Sequence, residues 1–251
     1  MNQHAPAPSA LRFDGRRVLV VGGTSGIGNG IAQAFRAAGA EVHVWGTRTN
    51  ASDYRAEEGS DLSGLHFGRV DVSDADAIAG WTAPFDSLDV LVLSQGIVEY
   101  KRAEFRDDGF RRVVEVNLNS VMSCCMRFRP QLKAAGGSVI VVSSMSAYKS
   151  AIGNPAYAAS KAGAVSLTRS LGAAWAPDGI RVNGIAPGLV DTKLTKITTA
   201  NPQRLQATLE RIPVGRMGTP QDMAGAALFL ASPLAAYICG HTIAVDGGLQ
   251  A

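Results

Sequence analysis

Seven short runs rich in β-branched and apolar residues recur along the chain, and helical patterns separate most of them. The runs are Arg17–Val21, Glu41–Trp45, His66–Val70, Leu88–Leu93, Ser138–Val142, Ile180–Ile185 and Thr242–Val245. Apolar residues at helical spacing cover Ile27–Ala38, Ala75–Thr82, Phe105–Leu132, Pro155–Trp175 and Gln221–Ala231. A parallel neighbour can be reached only by a crossover, and a helix is the usual one, so strand followed by helix predicts parallel strands. Val18–Val21 and Val139–Val142 are apolar at every position instead of alternating, as strands covered on both faces are. The expectation is an α/β protein: a single Rossmann-type, doubly wound parallel sheet with helices on both faces. Its 251 residues suit one large core. Residues 11–251 are expected to form that one domain, and the Pro/Ala-rich residues 1–10 a flexible leader with neither the basic nor the apolar region of a secretion signal. Leu189–Pro213 interrupts the alternation, which fits either a lid or a connecting pair of helices.

In such sheets the ligand sits beyond the carboxyl ends of the strands. The first run leads directly into Gly22-Gly23-Thr24-Ser25-Gly26-Ile27-Gly28, which opens a helix. Glycines allow the tight turn, let backbone N–H groups approach a pyrophosphate, and aim the positive helix end at that anion. A glycine-rich turn alone says little; one placed between the first strand and a helix says much more.

A second constellation follows the fifth run. Ser144 ends that strand, and Tyr157 and Lys161 are four residues apart, so they share one face of a helix. A tyrosine ionises near 10, and lowering it by about two units needs roughly 3 kcal/mol. An ammonium about 4 Å away offers about 4 kcal/mol at an effective dielectric of 20, less whatever desolvation removes. Tyr157 would then give and take the proton of a carbonyl oxygen, with Ser144 holding that oxygen by a hydrogen bond.

The Gly-x-x-x-Gly-x-Gly turn, Ser144, Tyr157-x-x-x-Lys161, Asn117 within Glu115-Val116-Asn117-Leu118-Asn119, and Pro187-Gly188 together resemble the short-chain dehydrogenase/reductase family, in its single-domain branch of about this length. The likeness runs from about Arg16 to Gly248. It implies a dinucleotide-binding catalytic domain and an NAD(P)-dependent oxidoreductase that interconverts a carbonyl and a secondary alcohol, with Asn117, Ser144, Tyr157 and Lys161 as the catalytic set. By the same resemblance, Lys161 also holds the nicotinamide ribose and Asn117 orders a water that refills the proton relay. The expected cofactor contacts are Gly22, Thr24, Ser25, Gly26, Ile27, Gly28, Thr47, Arg48, Asp71, Val72, Ser94, Gly96, Tyr157, Lys161, Pro187, Gly188, Val190 and Thr192. The family usually has Thr where Val21 stands, and Asn-Asn-Ala-Gly where this chain has Leu93-Ser94-Gln95-Gly96, which puts Gln95 beside the cofactor.

NAD-dependent enzymes of this fold end the second strand in an acid that takes the ribose 2′-hydroxyl and would repel a 2′-phosphate. Here Gly46 stands in its place, followed by Thr47 and Arg48, so NADP is favoured over NAD. Candidate substrate walls are Met145, Ala147, Tyr148, Ile152, Asn154, Leu189 and Val190, with Gln95 and Tyr100 nearby. Arg127, Arg129 and Lys133 could greet an acidic acyl carrier, although Asp178 lies at a turn where a base would be expected. Lys101, Arg102, Arg106, Arg111 and Arg112 could recruit an anionic substrate, but Glu99, Glu104, Asp107 and Asp108 interleave with them, as on a solvated face.

A net charge of +3 without a basic cluster gives no reason to expect nucleic acid or a membrane surface. Cys124, Cys125 and Cys239 are odd in number and lack metal-ligand spacing, as in a reduced, cytoplasmic protein without a bound metal. A cofactor-binding regulator or sensor on the same fold is the rival function, and an intact catalytic set argues against it. Small residues along Pro155–Trp175, together with spare apolar residues in the preceding helical pattern, predict a homo-oligomer, a dimer or tetramer.

Overall fold

The computed structural model describes residues 10–56 and 59–250. All but the last position of the expected leader therefore lies outside the described residues. The elements are β1 Arg17–Val21, α1 Gly26–Ala37, β2 Glu41–Gly46, β3 His66–Arg69, α2 Ala75–Gly80, β4 Val90–Leu93, α3 Asp107–Val114, α4 Ser120–Ala135, β5 Ser138–Val142, α5 Pro155–Trp175, β6 Arg181–Pro187, α6 Lys196–Thr199, α7 Pro202–Leu209, α8 Pro220–Ala231 and β7 Thr242–Val245. The seven strands form one sheet in the order β3-β2-β1-β4-β5-β6-β7, and every neighbouring pair is parallel. The order reverses between β1 and β4, which opens a crevice at their carboxyl ends.

Side chains of a strand point alternately to opposite faces, and here both faces are covered. Val18 and Val20 pack with Ile31, Phe35, Ala224 and Ala227 on the side of α1 and α8. Leu19 and Val21 pack with Val121, Phe128, Ala164 and Leu171 on the side of α4 and α5. Alternation of hydrophobic and polar residues is therefore absent in β1 and β5, because neither strand has a wet face.

Two departures from the sequence pattern bear on the site. The expected helix Phe105–Leu132 is broken: Ala103–Phe105 is a 3-10 turn, and a π-helical turn, Glu115–Asn119, separates α3 from α4. The Leu189–Pro213 stretch forms a 3-10 turn, Lys193–Thr195, followed by the short helices α6 and α7. α5 begins with Pro155 at its first turn, where a missing N–H costs nothing, and continues through Ala-rich sequence for 21 residues.

Candidate active site

The glycine turn closes on itself so tightly that side chains are excluded. A Cβ on Gly28 would lie 2.2 Å from the Gly22 carbonyl oxygen, and one on Gly22, whose φ is 73°, would lie 2.9 Å from the Gln95 backbone. Ser25 stands at the N-cap of α1 without using its side chain as a cap, so the first N–H groups of the helix face the crevice. Gly26, at φ 54°, faces Thr192 across it, and Ile27 starts the helix half-buried. Ser94 leaves β4 with its N–H on the Val21 carbonyl, and its hydroxyl would be 3.1 Å from a Cβ on Gly28. Pro187 ends β6 opposite Val245, and Gly188 donates to the Val245 carbonyl. Cβ-free turns, an open helix terminus and converging hydroxyls form the kind of cradle a dinucleotide pyrophosphate requires.

Other expected contacts are less direct. Val72 and Val190 are buried in the two cores, so only their backbone can border the crevice. Asp71 is exposed and accepts from the Ser73 N–H and hydroxyl, which hold its carboxyl below the usual range. Gln95 does not reach the crevice: it is 6% exposed and donates to Ser120 Oγ at 3.0 Å. Packing explains the inward turn, since the Gly22 turn lies directly on the Gln95 backbone.

At the end of β2 the missing acid has a structural counterpart. A Cβ on Gly46 would lie 2.3 Å from Tyr54 Oη and 2.6 Å from Thr24 Cγ2, so the buried Thr24 and a residue outside the expected set, Tyr54, fill that space. Tyr54 Oη accepts from the Arg48 N–H at 3.0 Å, the Arg48 guanidinium lies over the Tyr54 ring at 4.7 Å, and Arg48 Nη1 donates to the Asp53 carbonyl. Thr47, between them, is exposed. Nothing in the local sequence marked Tyr54, which comes back to Gly46 only through the turn Ala51–Asp53.

Lys161 and Asn117 meet beside Gly96, whose Cβ position would be 3.3 Å from Lys161 Nζ and 3.4 Å from Asn117 Oδ1. Lys161 is buried; its Nζ donates to the Val142 carbonyl at 2.9 Å, and its own carbonyl accepts from the Ser143 hydroxyl. The end of β5 thus grips the lysine from two sides. Asn117 sits in the π-helical turn with no exposed surface, accepting from the Ile97 N–H and donating to the Ile97 carbonyl and Ser160 Oγ. π-turns are frequent at functional sites. With the amide fully engaged, any water held by this residue must use its backbone.

Ser144 is half-buried and caps the turn Met145–Ala147 by accepting from the Ser146 N–H. Its hydroxyl faces Tyr157. Burial pushes the Tyr157 hydroxyl above its ordinary value; the Ser144 hydroxyl pulls the other way, and Tyr100 and Glu104 push up again. Burial also draws Lys161 down from 10.5 to about 8. Its Nζ is 5.8 Å from the Tyr157 ring centroid, so the expected lowering of the tyrosine by the ammonium does not prevail: desolvation of both groups outweighs their attraction.

Among the candidate walls, Ala147 and Asn154 are half-buried, Met145 is buried, and Tyr148 and Ile152 are exposed. A cavity between α5 and β7, lined by Met145, Arg169, His241 and Gln250, includes neither Ser144 nor Tyr157. Glu104 corrects the expectation of a solvated acidic face: Asp107 and Asp108 are exposed, but Glu104 is 1% exposed and accepts from the Tyr157 N–H.

Comparison with known proteins now decides the family. The family profile described as enoyl-(acyl carrier protein) reductase matches residues 21–250. The chain belongs to the short-chain dehydrogenase/reductase family. It is 36% identical to the 3-oxoacyl-acyl-carrier-protein reductase of Chlamydia muridarum, over 93% of this chain and 97% of that one. The Pseudomonas aeruginosa RhlG/NADP active-site complex superimposes with a TM-score of 0.88 at 30% identity, covering 96% and 98%. A 7α-hydroxysteroid dehydrogenase complexed with NADH and 7-oxo glycochenodeoxycholic acid does so with 0.88 at 32% identity, covering 97% and 98%. This family member is an NAD(P)-dependent oxidoreductase acting between CH–OH and C=O groups. Among the described residues, no helix is long and apolar enough to cross a membrane.

Proposed function

We propose that the protein reduces a small-molecule ketone with NADPH, and runs the reverse oxidation, using Tyr157 as the proton donor and acceptor. The observation that carries this reading is a chain of contacts, in which Ser144 faces Tyr157, the Tyr157 ring lies 5.8 Å from Lys161 Nζ, and Lys161 and Asn117 both border Gly96. What the cofactor supplies when bound is hydride and, in its oxidised form, a positively charged ring. Ser144 fixes the substrate oxygen, and Tyr157, held protonated by its buried setting, delivers the proton that reduction requires. Lys161, anchored on Val142, is placed to hold ribose hydroxyls and to pass protons inward. Gly46 with Thr24, Thr47, Arg48 and Tyr54 favours the 2′-phosphate over a bare 2′-hydroxyl.

A free substrate is preferred to one carried on an acyl carrier protein. Of the three bases expected to greet an acidic carrier, Arg129 and Lys133 are committed to Asp178, at 2.5 Å and 2.7 Å, and Arg127 donates to the Trp81 carbonyl. A homo-oligomer is proposed as well, with exposed Met122 and Met126 on α4 and the small residues of α5 at the contact. The three free cysteines suit a cytoplasmic setting. The test is Tyr157→Phe assayed with NADPH and NADH against a panel of ketones. Turnover should fall by about a thousandfold or more, with cofactor binding unchanged; turnover within tenfold of wild type would remove Tyr157 from the chemistry.

A further inference from the structure

Glu104 is a fully buried acid whose oxygens meet neutral donors. Oε2 accepts from the backbone N–H of Tyr157 at 2.9 Å, and Oε1 from the N–H of Glu99 at 3.1 Å and from Asn154 Nδ2 at 3.3 Å. Burying a carboxylate is unfavourable unless such donors replace water. The chain reaches this position through Lys101 and Arg102, both in the left-handed region at φ 56° and 62°, which non-glycine residues rarely adopt.

The Tyr157 N–H belongs to the first turn of α5, where intrahelical partners are missing and negative charge is favoured. The N-cap residue, Asn154, does not cap this turn with its own side chain; it donates instead to Glu104 and to the Glu99 carbonyl. An acid 53 residues away in sequence therefore holds the backbone of the tyrosine itself. In the segment that leads to Glu104, the Tyr100 hydroxyl donates to the Leu194 carbonyl at 2.8 Å.

We propose that Glu104 is a positioning residue of the oxidoreductase reaction, its buried carboxylate fixing the first turn of α5 so that the Tyr157 hydroxyl stands against Ser144. This rests on Tyr157 being the acid–base group. The groups facing Tyr157 are Ser144 beyond β5, Lys161 on α5 itself, and Tyr100 and Glu104 from the turn beneath. The charge of Glu104 opposes ionisation of the tyrosine, whereas its hydrogen bond holds the Tyr157 N–H, so charge and position can be tested separately.

Glu104→Gln keeps the size and removes the charge; Glu104→Asp keeps the charge and withdraws it from the Tyr157 N–H. Both are measured for kcat, KM, the pH dependence of kcat and NADPH dissociation by fluorescence, with Tyr157→Phe alongside. In Glu104→Gln, kcat should fall about tenfold with NADPH binding within twofold. Its tyrosine limb should move to lower pH by about half a unit or more. In Glu104→Asp, kcat should fall severalfold with the limb in place. The proposal is overturned if Glu104→Asp turns over within twofold of wild type, or if a folded Glu104→Gln leaves the limb where it was. If Glu104→Gln does not fold, Glu104→Asp alone decides. An active Tyr157→Phe would instead remove the underlying reading.

Discussion

Replacing Lys161 by methionine should make the protein more stable and less active. The lysine is 4% exposed, and burial lowers it from 10.5 to about 8. At about 1.4 kcal/mol per pH unit, keeping it charged costs the folded state about 3 kcal/mol at pH 7. Methionine of similar length removes that cost but also the hydrogen bond to the Val142 carbonyl, which contributes about 1 kcal/mol. The net gain should be about 2 kcal/mol, or a rise in Tm of about 4 °C or more for a chain of this size. The pH dependence carries the sign. Below about 8, folded and unfolded chains both hold the proton and the full cost is present. Between about 8 and 10.5 the unfolded chain binds it and the folded one does not, so wild-type stability rises with pH and the gap to the variant closes. Urea unfolding followed by tryptophan fluorescence, at one protein concentration and without cofactor, measures this at pH 7, 8.5 and 10. A variant no more stable than wild type at pH 7, or a gap that persists at pH 10, would refute the electrostatic reasoning. The accompanying loss of turnover would place Lys161 among residues kept for chemistry at the expense of stability.

Gly28→Ala drives a Cβ to 2.2 Å from the Gly22 oxygen and 2.9 Å from the Gly22 carbonyl carbon, main-chain atoms that cannot yield without opening the turn. NADPH binding, followed by fluorescence titration, should weaken by about 10- to 100-fold, in keeping with an overpacking cost of about 1–3 kcal/mol. Arg48→Ala should weaken NADP binding by about tenfold and leave NAD unchanged, as calorimetric titration of both would show; equal losses would mean that Arg48 serves the loop and not the phosphate. Light scattering at micromolar concentration should return two or four times the 26.2 kDa chain mass, and an active monomer would refute the proposed α4–α5 contact.

The sheet was legible because its signal is local and repeated. Each of the seven runs needed only its own apolar content to be seen, and all seven are strands. The boundaries drifted where neighbours decide them. The Leu88 N–H bonds to the Gln131 carbonyl and not to a strand partner, so β4 begins at Val90. The break in the long helical pattern was invisible for the same reason. Its π-turn lies where Gly163 of α5 lets Leu118 pack against it, since a Cβ there would lie 2.7 Å from Leu118 Cδ2, and where Asn117 reaches across to Ile97. Helical periodicity carries no record of partners that lie elsewhere in the sequence.

The site divides along the same line. Ser144, Tyr157 and Lys161 stand out as candidates because one strand end and one helix turn fix their relation, and the glycine turn because sterics forbid anything larger at Gly22 and Gly28. Glu104 and Tyr54 do not. In sequence, Glu104 is one acid in a run that alternates with arginines, and its composition is that of a solvated face. What buries it is a pair of left-handed residues, Lys101 and Arg102, neither a glycine, which turn the chain beneath α5. Tyr54 likewise fills the space above Gly46 only because the short turn Ala51–Asp53 folds back. The groups proposed to carry the chemistry are local patterns, whereas those that contact the tyrosine backbone and the Arg48 loop arise from turns whose geometry exists only once the sheet has formed. Differences in cofactor choice and turnover among relatives that share the tyrosine and lysine should therefore be sought first in such turns.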